Sequence, residues 1–346
     1  MLRAAFTVCA HEDRTVTGMN DTVIEVAGLT KSYGQVEAVR GIDLQVHAGE
    51  IFGFLGPNGA GKTTTISILC TLVRATSGTA SVAGIDVDRD PAAVRSRIGL
   101  VFQDPSLDSQ LTARENLEFH AFVYSVPSPD RRRRIDEMLE MMQLSDRASS
   151  QVKTFSGGMK RRLEIARGML HQPQILFLDE PTLGLDPQTR KSIWTHLNEL
   201  RTKKGVTIFM TTHYMDEAEY CNRIAIIDHG KIVALGTPDE LKAMVGGDVV
   251  TITSADPEGA AQEITKLLGV TPSRDDGALR MEVADGKAFV PRLVRELTAP
   301  VDTVSLRRPS LDDVFLKLTG RAIREEEVSA RDRNRAMASR WMGRRR

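Results

Sequence analysis

With 346 residues, 41% of them hydrophobic and 27% charged, the chain is long enough for two globular domains, each with a core of its own. Its 46 basic residues balance 46 acidic ones, so no net field steers the whole molecule toward nucleic acid or anionic lipid. No stretch approaches the roughly 18 apolar residues that a membrane-spanning helix needs, and Cys9, Cys70 and Cys221 lie far apart without metal-ligand spacing, so a reducing cytoplasm with idle thiols, no disulfide and no zinc is expected.

Residues 1–18 show no period, and a flexible extension is expected up to residue 21. Val23-Ile24-Glu25-Val26 then reads as a strand, and to about residue 245 short apolar strands alternate with longer helical patterns, the rhythm of an α/β core. The expected strands are 51–55, 98–102, 175–178, 206–210 and 224–228, with a helix over 64–74. Residues 104–150 break the rhythm with Leu117, Phe119, Phe122 and Val123, four arginines at 131–134, and the periodic Ile135, Met138, Leu139 and Met142. This reads as a helical insertion, a subdomain of about residues 104–165. A second unit follows Gly246-Gly247 and is expected to run to residue 320. It reads as a small βαβαβ module with strands at 249–253, 279–283 and 301–306 and helices at 258–268 and about 289–297. Ser310 and Asp313 then form a capping box that opens a helix over 311–318. The last segment, 321–346, has nine arginines against four acidic residues and reads as a flexible tail.

Residues 56–63, Gly56-Pro57-Asn58-Gly59-Ala60-Gly61-Lys62-Thr63, form a complete phosphate-binding loop between an apolar strand and a helical stretch. Glycines let the backbone approach phosphate, Lys62 suits the β and γ phosphates, and the Thr63 hydroxyl suits Mg²⁺. The apolar run 175–178 ends in Asp179-Glu180. Two acids at a buried strand end need a partner, which a metal supplies: Asp179 can hold Mg²⁺ while Glu180 polarises the water that attacks the γ phosphate. Phe155-Ser156-Gly157-Gly158-Met159 precedes a helical run and sets Ser156 and two bare glycine amides at a helix N-terminus, a second anion site.

Together these motifs resemble the nucleotide-binding subunit of an ATP-binding cassette (ABC) transporter. The ordered set is Tyr33, the loop at 56–63, Gln103 after a strand, Ser156 to Gly158, Asp179-Glu180, Gly184-Leu185-Asp186, and His213 after a strand. The resemblance covers about residues 22–240 and departs from the usual Leu-Ser-Gly-Gly-Gln signature at Phe155 and Met159. It implies a phosphate-loop NTPase fold of the α/β class: a mostly parallel core sheet, an antiparallel β subdomain, a helical subdomain and a small α+β C-terminal domain. It further implies that Tyr33 stacks on adenine, that Thr64 joins the loop in holding ATP, and that Gln103 senses Mg²⁺ and the attacking water while coupling to a membrane partner. His213 would contact the γ phosphate, making Glu180, His213 and Gln103 the catalytic set and Thr63, Gln103 and Asp179 the metal set.

In this family two such units close head to tail on ATP, so the chain is expected to pair with a second ATP-binding subunit, most simply its own copy. The segment 306–315 resembles the C-terminal extension of daunorubicin-resistance-type exporter ATPases, whose membrane subunit is a separate polypeptide. The resemblance implies an ATP hydrolase at the cytoplasmic face of the membrane that powers export of an amphipathic molecule. The alternatives are a soluble ABC ATPase acting on nucleic acid or ribosomes, or the ATPase of an importer; the first would usually show tandem cassettes or a long coiled coil, which this sequence lacks.

Overall fold

The computed structural model describes residues 21–275 and 278–320. The expected N-terminal extension and arginine-rich tail lie outside the described residues. A six-stranded sheet forms the centre, built from β3 (Ile51–Leu55), β6 (Ile98–Val101), β7 (Ile175–Asp179), β8 (Thr207–Thr212), β9 (Arg223–Asp228) and β10 (Lys231–Gly236) in the order β10-β9-β3-β8-β7-β6. All but the edge strand β10 run parallel.

The inner strands are buried on both faces, which is why they read as continuous apolar runs. Side chains alternate between the two faces. Ile51, Leu55, Leu176, Leu178, Ile208 and Met210 enter one hydrophobic cluster with the helices. Phe52, Phe54, Ile175, Phe177 and Phe209 enter another, beneath a four-stranded antiparallel sheet. That sheet has the order β2-β1-β4-β5 and is made of β1 (Thr22–Tyr33), β2 (Val36–His47), β4 (Ser77–Val82) and β5 (Ile85–Asp86). Phe209 sits at the middle of the second cluster, its ring centroid 5.5 Å from those of both Phe52 and Phe177.

The helices around the central sheet are α1 (Lys62–Leu69), α2 (Pro91–Arg97), α3 (Ala113–Val123), α4 (Ser128–Met141), α5 (Gly157–Met169), α6 (Pro187–Lys204), the short α7 (Met215–Ala218) and α8 (Pro238–Ala243). The helix expected at 64–74 begins at Lys62 and stops at Leu69, so both side chains of the phosphate motif stand in its first turn. The expected strand 206–210 extends to Thr212, which gives it a polar end used by the site. In the interrupting segment Leu117, Ile135, Met138 and Leu139 are buried, whereas Phe119, Phe122 and Val123 on α3 are exposed.

The second unit contains β11 (Asp248–Thr253), α9 (Pro257–Leu268), β12 (Ser273–Asp275), β13 (Ala278–Val283), α10 (Gly286–Glu296) and β14 (Thr303–Arg307). Its sheet is antiparallel throughout, in the order β12-β13-β11-β14. The short β12 has no apolar alternation, so the sequence gives no sign of it. The final helix, α11 (Leu311–Thr319), carries the expected capping box: Ser310 Oγ accepts from Asp313 N at 3.3 Å and the Asp313 carboxylate accepts from Ser310 N at 2.9 Å. Its buried Leu311, Val314 and Phe315 pack into the first cluster of the central unit, beside α7 and α8, rather than into the core of the second unit. Lys317 Nζ completes this attachment by donating to the carbonyls of Met244 and Val245, at 3.0 and 2.8 Å, just past the end of α8.

Candidate functional site: a phosphate loop beside two buried carboxylates

Strand β3 leads directly into the loop 56–61, and α1 starts where the loop stops. The N-cap of that helix is Gly61, at φ 110°, where a Cβ would lie 2.5 Å from the carbonyl oxygen of Ala38. Glycine fits there, and it brings no side chain to cap the helix. The first-turn N–H groups therefore face outward as anion donors, reinforced by the positive end of the helix dipole. Lys62, 5% exposed, donates from Nζ to the carbonyls of Gly56 (2.7 Å) and Pro57 (3.2 Å) and lies 3.2 Å from Glu180 Oε1.

Parallel pairing brings the C-terminal ends of β3, β7 and β8 side by side, with Asp179 opposite Thr211 and Leu55 opposite Thr212. Ligand sites in open parallel sheets form at such strand ends. Asp179 accepts from Thr63 Oγ1 at 3.0 Å on one oxygen and from Thr211 Oγ1 at 2.5 Å on the other. Thr211 Oγ1 also accepts from the backbone N–H of Glu180 at 3.0 Å. Glu180 adopts φ 46°, a left-handed conformation that costs a non-glycine residue about 1–3 kcal/mol and persists only where neighbours enforce it. Its Oε1 lies 3.2 Å from His213 Nδ1. Burial pushes the Glu180 carboxyl pKa up, but the His213 hydrogen bond and the Lys62 charge outweigh it and hold the group below the ordinary carboxylate value. The arrangement supplies an ionised carboxylate, a cation and an imidazole around one point next to an anion cradle.

The structure thus gathers Lys62, Thr63, Asp179, Glu180 and His213. It leaves others apart. Tyr33 stands half-exposed at the end of β1 with Lys31 Nζ 4.9 Å from its ring centroid, and Gln103 lies exposed on the loop after β6. Ser156 is the N-cap of α5, accepting from Met159 N at 3.3 Å. Gly158 meets the 185–189 turn so closely that a Cβ would lie 2.3 Å from Thr189 Cγ2. Phe155 and Met159, the two departures from the usual signature, pack into the first hydrophobic cluster.

Several functional neighbours are not visible in the sequence. Arg161 and Glu164 on α5 are buried at 6% and 1% exposure although they stand in a run of charged residues that reads as a solvated face. Glu217 on α7 is buried as well, and its carboxylate accepts from Thr182 Oγ1 and, at 2.8 Å, from Thr212 Oγ1. Burial raises its pKa against those hydroxyls. It thereby ties the segment after Glu180 to the strand end before His213. The one available signal was the Arg161/Glu164 spacing of three on a helix, an intrahelical pairing distance.

Two oxygen donors, Thr63 Oγ1 and an Asp179 carboxylate oxygen, converge at the helix start. They suit Mg²⁺, which takes one or two hard protein oxygens and leaves its other positions to phosphate and water. Among the described residues no helix is long and apolar enough to cross a membrane.

Comparison with known proteins places the chain in a family. Residues 39–183 match the family described as "ABC transporter", and residues 236–319 match "ATP-binding protein DrrA1-3-like, C-terminal domain". The chain is 43% identical to the daunorubicin resistance ATP-binding protein DrrA3 of Streptomyces coeruleorubidus over 317 residues, 90% of this chain and all of that protein. It is 37% identical to the linearmycin resistance ATP-binding protein LnrL of Bacillus subtilis (strain 168), over 88% of this chain and all of that one. Among solved structures, cbiO1 from Clostridium perfringens, part of the ABC transporter complex cbiONQ, superposes with a TM-score of 0.61 at 28% identity, covering 72% of this chain and 97% of its own. A dimeric post-hydrolysis ATP-binding cassette, MJ0796 bound to ADP and Pi, gives a TM-score of 0.57 at 30% identity over 62% of this chain and 98% of that one.

Proposed function

The chain belongs to the ATP-binding subunits of ABC transporters, in the daunorubicin-resistance type, and from that premise we propose that its ATP hydrolysis powers export of a small amphipathic molecule. The cargo class, a drug, antibiotic or lipid-like compound, is taken from the resistance named in its relatives. We assign the path through the membrane to a separate spanning subunit, place this chain at the cytoplasmic face against it, and assign the exposed Phe119, Phe122 and Val123 of α3 to the side that meets it. The names of the relatives favour export over import and over work on nucleic acid or ribosomes.

One observation carries the catalytic assignment: Glu180 Oε1 lies 3.2 Å from both Lys62 Nζ and His213 Nδ1, beside the uncapped start of α1. In this reading the loop amides and Lys62 bind the β and γ phosphates, with Gly56 to Thr64 forming the cradle and Tyr33 the adenine platform. Thr63 and Asp179, with Gln103 of the loop after β6, would hold Mg²⁺, and the metal would neutralise phosphate charge. Glu180, kept ionised by its neighbours, accepts hydrogen-bond donation from the attacking water and orients it. His213 holds the Glu180 carboxylate and contacts the γ phosphate. Ser156, Gly157 and Gly158 serve the nucleotide of a second subunit, so two chains close around ATP; the dimeric cassette among the similar structures supports that pairing.

Glu180→Gln tests the assignment. It keeps the shape and removes the charge, so turnover should fall by about 100-fold or more while ATP affinity stays within a few-fold. In ATP the variant should sediment as a dimer. Turnover near that of the parent chain would remove Glu180 from this role.

A further inference from the structure

Arg161 lies one turn into α5, buried, with all of its donor nitrogens engaged. Nε donates to the carbonyl of Pro181 at 2.6 Å, and Nη2 donates to those of Asp179 and Glu180, each at 3.0 Å. Nη1 reaches a second segment, donating to the carbonyl of Phe102 at 2.5 Å and to Glu164 Oε2 at 3.1 Å. Three successive carbonyls at the end of β7 thus converge on a single cation that also holds the residue before Gln103. The other Glu164 oxygen accepts from Ser106 N at 2.8 Å, and Arg167 donates to Ser106 O at 2.7 Å. One face of α5 therefore grips both ends of the 102–106 loop.

A buried guanidinium is costly unless its donors are used, and a lysine or an apolar residue would fill a helix face at less cost. What the planar fork provides is geometry. The backbone N–H of Glu180 is held from one side by Thr211 Oγ1, and the carbonyls of residues 179–181 are held from the other by Arg161. This clamp fixes the φ of 46° at Glu180 and so the direction in which its carboxylate leaves the backbone. If the Phe102 carbonyl moves, the guanidinium must follow or give up a bond, because its donors lie in one rigid plane.

We propose that Arg161 is a positioning residue for hydrolysis, coupling the loop that carries Gln103 to the Asp179–Glu180–Pro181 turn so that the Glu180 carboxylate is aligned only in one register of that loop. The proposal rests on Glu180 being the water-orienting carboxylate.

The test is steady-state ATPase of the full-length chain together with ATP affinity from a fluorescent nucleotide, for Arg161→Lys, Glu180→Gln and the double variant. Lysine keeps the charge but cannot span four carbonyls on two segments. Arg161→Lys should melt cooperatively, bind ATP within about threefold of the parent chain, and lose at least tenfold in kcat. Because Arg161 acts through Glu180, the double variant should turn over as slowly as Glu180→Gln and no slower.

The proposal is overturned if Arg161→Lys keeps kcat within twofold, if its ATP affinity falls in parallel with kcat, or if the two losses multiply in the double variant. Should Arg161→Lys fail to fold, Glu164→Gln decides. Its single amide oxygen can serve Ser106 N or Arg161 Nη1 but not both, so kcat should drop about threefold or more at unchanged ATP affinity, and an unchanged kcat overturns the proposal. Normal turnover in Glu180→Gln would instead remove the Glu180 assignment itself, and with it the premise. A dead Glu180→Gln beside a normal Arg161→Lys removes the coupling alone.

Discussion

The central unit and the second unit are both built from strands and helices, yet they hold their polar groups in opposite ways. Every buried polar or charged side chain among the described residues lies between Glu50 and Glu217. The second unit has none. There β13 alternates cleanly, with Leu279, Met281 and Val283 inward and Arg280 and Glu282 exposed, over a small all-apolar core. The central unit accepts the desolvation of Lys62, Arg161, Asp179, Glu180 and Glu217 because each finds partners at or just past the ends of parallel strands or on the first turn of α1, and that of Glu164 because Arg161 and the Ser106 N–H engage its two oxygens. The contrast teaches where each kind of lesion should act: in the first region a change can abolish chemistry while the fold survives, and in the second it can weaken the fold while the chemistry survives.

The largest effect expected on that contrast is from Lys62→Ala. Each charge-assisted bond to phosphate contributes about 1.5–3 kcal/mol, so the loss of two, about 3–6 kcal/mol, should weaken ATP binding by roughly 100-fold to 10,000-fold. Equilibrium titration with a fluorescent nucleotide reads this directly, and an unchanged affinity would show that the buried Lys62 does not bind the phosphates.

Next come two core truncations read by calorimetry and by kcat per folded molecule. Leu279→Ala should cost the second unit about 2–5 kcal/mol and leave kcat unchanged. Phe315→Ala, fully buried against the central cluster, should cost about 3–5 kcal/mol and lower the unfolding transition of the central unit instead. If both variants destabilised the same transition equally, the two regions would be one cooperative body. The smallest effect is at Ser310→Ala, which removes half of a capping box and should cost about 1 kcal/mol, visible as a small shift in the same transition as Phe315→Ala.

The sequence made some of this legible and hid the rest for a physical reason. The phosphate loop and Asp179-Glu180 are contiguous, and their meaning follows from residue type and order. The doubly buried strands announce themselves as apolar runs, and the capping box at Ser310 is a local signal. Arg161 and Glu217 are different. Their burial depends on carbonyls and hydroxyls at Phe102, Asp179, Thr182 and Thr212, supplied by segments distant in sequence, and a charged residue in a charged run looks solvated until those partners are placed. The allegiance of α11 was hidden for the same reason. Its apolar face is plain in Leu311, Val314 and Phe315, but which core it enters is a tertiary choice.

That choice constrains how the second unit can shift. The chain leaves the central body near Gly246-Gly247 and returns past Pro309, where α11 is bolted to α8 through Phe315 and Lys317. A lobe on a single thread can swivel about every axis; one on two nearby threads hangs like a door, with its swing confined to the line between the attachment points. Both attachment points sit at the C-terminal end of α8, so a displacement of the lobe about them would load α8 first.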